Sequence, residues 1–366
     1  MPSGGRYPIT PRPTAPYRLA AAGWCLHCRV VRCALLLAPA VAVAIAASGC
    51  GDSSDTETMA TTAPPARTAA VESSAVDFPK PGGRSLSELR QGIQEGLILA
   101  PSVSVLEPGT NRYGFALFDA ARKQVAGAPV ALYVSRADGT ELRGPYPART
   151  ESLEVKPQFE SRTTASDPDA AKSVYVADVP FAGPGTYRVT AITKLDGRSV
   201  STSSFSAEVR SRDTKGFPPR VGEAAPRVST PTVNDVAGDA ARLSTRMPPA
   251  TDLLQTNLED AYGRKPIALL FATPALCQSR VCGPVVDVME QVRSQQGSAK
   301  TAFISSEIYK ENRVDQGLRP APAAYRLPTE PWLFLLDRQG RVVERIEGAF
   351  SVAELQAAVR RAERAG

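Results

Sequence analysis

Between residues 85 and 212 the apolar positions alternate with polar ones. Tyr113, Phe115 and Leu117 form one such series, Val130, Leu132 and Val134 a second, and Tyr187, Val189 and Ala191 a third, while Val103 and Val105 are separated by a serine and Val174 and Val176 by a tyrosine. A period of two marks strands that bury one face. Turn chemistry separates the series at Glu107-Pro-Gly109, Ala137-Asp-Gly139, Ala182-Gly-Pro-Gly185 and Asp196-Gly197. Only Ser85-Leu-Ser-Glu-Leu-Arg-Gln-Gly-Ile93 suggests a helix here. After residue 251 the period changes. Residues 252–262 predict a helix, Ile267–Phe271 a wholly apolar buried strand, and Val281, Val285, Val288 and Val292 a helix with one core face. Residues 301–304 predict another strand and 306–319 a polar helix or loop. Residues 332–336 and 341–346 predict a hairpin around Asp337-Arg-Gln-Gly340, and Ser351-Val-Ala-Glu354 is a capping box opening a last helix that buries Leu355, Val359 and Ala362.

These patterns predict a multidomain chain. About seven short strands over 85–212 indicate an N-terminal immunoglobulin-like all-β sandwich. Pro184-Gly-Thr-Tyr187 resembles the approach to a strand carrying a corner tyrosine, and residues 144–172, rich in charge, Ser, Thr and Pro, predict an extended loop. This region holds no His, Cys or Met, so the soft or imidazole ligands that a copper-handling sandwich needs are missing. Residues 213–250 form a Pro-rich linker, with Phe217-Pro-Pro219 and Met247-Pro-Pro249 among its prolines, and an α/β domain follows over 251–366.

Composition matters mainly at the N-terminus. The formal charge of the 366 residues is +6, but residues 1–49 carry five arginines and no acid, so the remainder is near +1. That balance offers no basic footprint for nucleic acid. Arg29 and Arg32 precede an apolar run over 34–47 and the small residues Ser48 and Gly49. A positive flank, a short apolar core and small residues make an export signal over 1–49, and the run is shorter than the ~20 residues a spanning helix needs. Ala47-Ser48-Gly49-Cys50 resembles the bacterial lipobox, which implies lipidation of Cys50 and a lipid anchor on the extracytoplasmic face of the cell membrane; plain secretion is the alternative. Cys25, His27, Cys28 and Cys33 precede the apolar core and belong to the discarded segment, so no metal site is expected of them. Residues 50–84, polar and rich in Ser, Thr and Pro, read as a disordered tether.

Two cysteines then remain for chemistry, in Phe271-Ala-Thr-Pro-Ala-Leu-Cys277-Gln-Ser-Arg-Val-Cys282-Gly-Pro284. A buried strand delivers them to a helix start, where unpaired N–H groups and the helix dipole favour a thiolate. The strand and helix order, this segment, and Thr329-Glu-Pro331-Trp-Leu-Phe-Leu-Leu-Asp-Arg-Gln-Gly340 resemble the thioredoxin-like superfamily; Val221-Gly-Glu-Ala-Ala-Pro226 is similar to the opening of many such domains. The resemblance covers about 221–366. It implies a thioredoxin-like fold, Cys277 as attacking thiol, Cys282 as resolving thiol, and a cis-proline at Pro331, with Glu330 beside it, where substrate backbone pairs. Pro328 competes for the cis-proline role.

The spacing departs from the family, with four residues between the cysteines instead of two. On a regular helix, residues five apart lie about 8 Å from each other between Cα atoms, beyond the ~7 Å a disulfide tolerates. A bond between them therefore forms only if Cys277 lies outside the regular helix, in the loop or a distorted first turn, with Arg280 close by to favour its thiolate. Leu270 stands where the family carries a buried acid. Two functions follow. One is a membrane-tethered thiol–disulfide oxidoreductase without cofactor or metal, acting on exported protein disulfides or with a membrane thiol reductase or oxidase. The other is a non-catalytic binding or scaffold lipoprotein whose Cys277–Cys282 pair is structural.

Overall fold

The computed structural model describes residues 73–365. Nine strands, β1 (Gln94–Pro101), β2 (Gly109–Phe118), β3 (Gln124–Val125), β4 (Val130–Arg136), β5 (Arg143–Ser152), β6 (Ser173–Phe181), β7 (Gly185–Leu195), β8 (Arg198–Thr202) and β9 (Phe205–Val209), share one sheet. Its order is β1-β8-β7-β4-β5-β6-β2, and β2 pairs back onto β1, so seven strands close a ring from which β3 and β9 branch.

An open two-sheet sandwich was the expectation; the structure corrects it to a closed barrel. Two strands change partner along their length and so join the faces. The start of β1 runs parallel to β8, with Gln94 opposite Val200, and its end antiparallel to β2, with Ile98 opposite Phe118; the register shifts between Glu95 and Leu97. The first part of β5 pairs with β4 and its last part with β6. Closure leaves the ring no unpaired edge. The corner tyrosine is present: Tyr187 donates its hydroxyl proton to the Gly183 carbonyl at 2.9 Å.

Tyr113, Phe115, Leu117, Leu132, Val134, Val189 and Ala191 fill the barrel, as their alternation predicts. Strand β6 differs. Tyr175, Ala177 and Val179 point into the barrel, while Val174 and Val176, the pair the alternation singled out, face outward into a second core. Residues 73–84, placed in the tether by the sequence, lie against the barrel: Phe78 packs with Ala131, Tyr133 and Ile192, and the Tyr133 hydroxyl donates to the Pro79 carbonyl.

The second sheet has the order β11-β10-β12-β13, from β10 (Ile267–Phe271), β11 (Ala302–Ser306), β12 (Trp332–Leu336) and β13 (Val342–Glu347). β10 and β11 are parallel; β12 is antiparallel to β10 and to β13. Among the described residues six α-helices accompany the sheets: α1 (Leu86–Leu89), α2 (Arg162–Ala165), α3 (Leu258–Ala261), α4 (Cys282–Gln296), α5 (Pro320–Ala324) and α6 (Val352–Ala365). Helices α4 and α6 cover one face, packing on Ala268, Leu270, Leu333 and Leu335. Tyr325 and Leu258 pack on the other, against Ile267, Leu269, Phe271 and Phe334. With both faces covered, every residue of β10 and β12 is buried.

The helix expected over 252–262 is broken. A single turn spans Thr251–Leu254, and α3 starts afresh because the Asn257 side chain accepts from Glu259 N–H and Thr230 Oγ1 accepts from Leu258 N–H. Residues 306–319 hold two short 3-10 turns, Lys310–Asn312 and Val314–Gln316. The proline-rich 213–250 segment is packed: residues 222–225 bond to the hairpin at Gly340 and Val342, and Ala250 enters the core beside α4.

Barrel and second sheet belong to one compact unit. Carboxylates stitch them together. Glu354 takes Arg112 and Arg149 from the barrel, Glu347 accepts from Ser104 and Val105 N–H, and Glu107 pairs with Arg220 and Arg345. Between them lies a cavity of about 380 Å³ lined by Arg112, Arg220 and Arg345 with Glu107 and Glu347.

Candidate thiol site

The site begins where β10 ends. Apolar residues carry the chain to Phe271, the Ala272 N–H still bonds to the Ser306 carbonyl, and the chain then turns at Thr273–Leu276. Cys277 lies in the loop, and Cys282 is the first residue of the 15-residue helix α4. They are joined as a disulfide with Cα atoms 5.9 Å apart, inside the range a bond permits and well short of the regular-helix distance. The chain shortens that distance partly at Arg280, whose φ of 59° is left-handed. Cys277 is 8% exposed and Cys282 is 0% exposed. Cys277 Sγ lies 3.1 Å from Ser279 Oγ.

The other residues singled out by the sequence fall as follows. The Glu330–Pro331 peptide is cis, whereas Pro328 is exposed and trans. Trp332 pairs with Phe271, so Pro331 sits at the end of the ladder from which the cysteine loop departs. Glu330 is half-buried, and burial followed by repulsion from Glu307 holds its carboxyl above the usual range. Leu270 is buried in the same core as Cys282. Arg280, expected beside the Cys277 thiolate, has an acidic partner of its own: its Nη1 donates to Asp167 Oδ2 at 2.7 Å. Cys50, and the early cluster Cys25, His27, Cys28 and Cys33, lie outside the described residues.

Two acids that pattern reading assigns to solvent are central. Glu307 follows β11 and is 3% exposed. Its carboxylate accepts from Thr245 N–H at 2.8 Å and Thr245 Oγ1 at 2.9 Å, and Thr245 Oγ1 in turn accepts from Ala275 N–H at 3.0 Å. The loop ahead of Cys277 is thus tied to a buried carboxyl. Burial raises the pKa of Glu307, against the lowering effect of Thr273, Thr245 and the Ile308 N–H. The other acid is Asp287 on α4, 0% exposed, which accepts from Arg246 Nε at 2.8 Å and from Ser161 N–H at 3.1 Å. The available signal for both was an acid within or directly after an apolar run; their partners are distant in sequence.

Ser161 belongs to residues 153–172, the connection from β5 to β6, which crosses the start of α4 as a strap. Lys156 N–H donates to Gln291, Arg246 reaches the Phe159 carbonyl, and Ala171 N–H donates to the Arg280 carbonyl at 3.1 Å. A Cβ on Gly283 would lie 2.8 Å from Thr164 Oγ1, so glycine is what lets the strap approach this closely. A second cavity, about 350 Å³, lies beneath the strap beside Pro284 and Asp287.

No family model matches the chain, and no curated protein matches it. Six chains of solved structures do. One is the crystal structure of a chain described as a thiol:disulfide interchange protein DsbE from Chlorobium tepidum, 17% identical, with 40% of this chain and 99% of that chain covered and a TM-score of 0.28.

Proposed function

We propose that this chain is a membrane-tethered, extracytoplasmic thiol–disulfide oxidoreductase whose thioredoxin-like C-terminal unit exchanges disulfides through Cys277 and Cys282. The observation that carries the reading is the placement of the pair: one thiol in a loop, the other opening a long helix, bonded across 5.9 Å between Cα atoms. A helix start carries unpaired N–H groups and a positive dipole end, which favour the thiolate.

In the reducing direction, the Cys277 thiolate attacks one sulfur of a partner disulfide and expels the other as a thiolate, which takes up a proton. The Cys282 thiolate then attacks Cys277 Sγ and releases the second partner thiolate. The partner gains two electrons and the chain is left with the Cys277–Cys282 bond; the reverse sequence oxidises a dithiol. Cys277 is the more exposed of the two and so the attacking group. Pro331 and Glu330 border the loop and are the proposed contact for partner backbone. The partners are exported protein disulfides or a membrane thiol reductase or oxidase, and Cys50 is the proposed lipid anchor holding the chain at the bilayer.

Burial favours a second reading. With Cys282 enclosed and Cys277 nearly so, the pair also suits a structural bond in a binding or scaffold lipoprotein. A Cys282→Ser variant separates the two. Mixed disulfides trapped through Cys277 in cell-envelope extracts support exchange; a variant that traps nothing, while Cys277 alkylates normally, supports the scaffold.

A further inference from the structure

Arg280 of the cysteine loop is bonded to the strap twice. Its backbone carbonyl accepts from Ala171 N–H at 3.1 Å, and its Nη1 donates to Asp167 Oδ2 at 2.7 Å. Arg280 lies inside the ring closed by Cys277 and Cys282, in a left-handed conformation that residues with a Cβ seldom adopt. The rest of the strap is held independently of that ring, by Lys156 N–H to Gln291, Ser161 N–H to Asp287, and Arg162 N–H to the Met247 carbonyl.

We infer that the Cys277–Cys282 bond is a redox-controlled latch, closing residues 167–171 of the barrel's strap over the start of α4 when oxidised and releasing them when reduced. The closed ring limits the backbone of residues 278–281, and within it Arg280 presents carbonyl and guanidinium to the strap together. Reduction by a dithiol breaks the S–S bond: the two cysteines take up two electrons and two protons, and the dithiol leaves as a cyclic disulfide. Arg280 is then free to leave the left-handed region, and its carbonyl turns away from Ala171. Freed residues 167–171 uncover the space beside Pro284 and Asp287. The strap is continuous with β5 and β6, so the redox state of one sheet is passed to the other.

Linkage makes the effect reciprocal: a contact that the oxidised ring strengthens must also favour the oxidised ring, and by the same factor. Asp167→Asn therefore shifts the equilibrium against a dithiol couple toward the reduced form, by roughly threefold, or about 15 mV for two electrons. The latch needs a reducible bond and no substrate, so it stands or falls apart from the oxidoreductase reading.

Hydrogen exchange on the whole chain tests it at individual amides. Ala171 N–H should exchange at least about tenfold faster in dithiothreitol than in the oxidised protein, and equally fast in a Cys277→Ser/Cys282→Ser variant that opens the ring without reductant. Lys156 and Ser161 N–H, bonded to α4 itself, should keep their protection in all three. Equal protection of Ala171 in every state would overturn the latch. So would equal loosening of all three amides, which is general destabilisation, or an Asp167→Asn equilibrium constant identical to that of the parent chain.

Discussion

The barrel and the four-stranded sheet bury apolar strands in different ways, and the difference separates structure from chemistry. The barrel turns its large side chains inward and closes on itself, and its alternation survives in most strands. The four-stranded sheet is covered on both faces, partly by segments that belong to the barrel or precede the sheet in sequence. That covering encloses Asp287, Arg246 and Glu307 near the cysteine loop. The core of the closed β unit carries no thiol, whereas the layered unit holds the polar groups that can respond to charge or redox state.

The comparison is most sensitive at Asp287. Asp287→Ala removes one of the two carboxylates on buried Arg246, the other being Glu290, and the acceptor of two hydrogen bonds that Ser161 donates, and breaking a buried pair from one side costs about 3 kcal/mol. Urea unfolding should show that loss. An Arg246→Met/Asp287→Leu chain should recover only part of it, because Glu290, the second carboxylate on Arg246, then loses its partner.

Two hairpin glycines sharpen the contrast. Gly139 in the β4–β5 turn has φ of 88° and open space where a methyl group would be added, whereas Gly340 in the β12–β13 turn has φ of 78° and a Cβ there would run into the Tyr262 ring. Gly139→Ala should cost about 1 kcal/mol, backbone strain alone. Gly340→Ala should cost about 2–3 kcal/mol, as overpacking is added. Equal melting shifts in the two variants would mean that the covering of the second sheet is as loose as a barrel turn.

The smallest effect expected is in pH dependence, where two buried carboxyls act with opposite sign. At Glu354 burial pushes the pKa up, but Arg112 and Arg149 outweigh it and the net shift is downward. Its contribution is present above the ordinary carboxylate range and is lost as pH falls through the folded pKa. At Glu307 burial wins and the pKa is raised above 4.5. The unfolded chain then releases that proton first, so stability declines as pH rises from about 4.5 through the folded value. Unfolding free energies against pH should show Glu354→Gln flattening the acid limb and Glu307→Gln flattening the decline above it.

Much of this was legible in the residues. Period-two runs located the barrel strands, and the reach of a disulfide alone required Cys277 to leave the helix. Barrel closure was not legible, because it depends on β1 and β5 changing partners midway, which no periodicity records. In β6 the run Val174-Tyr-Val-Ala177 is apolar throughout, so alternation could not say which side faces inward; both sides are buried. Asp287 and Glu307 were hidden for a different reason. Acids read as solvent-facing until a covering segment is known, and Arg246 and Thr245 lie 41 and 62 residues from them. Arg280 was read by its proximity to Cys277, while its partner Asp167 lies 113 residues away on the strap.

The reduction potential of the Cys277–Cys282 pair, measured in the intact chain against dithiol couples, tests the account most directly. Exchange chemistry predicts a potential above about −250 mV, within the span of disulfide catalysts. A value below about −300 mV, where structural bonds lie, would contradict it.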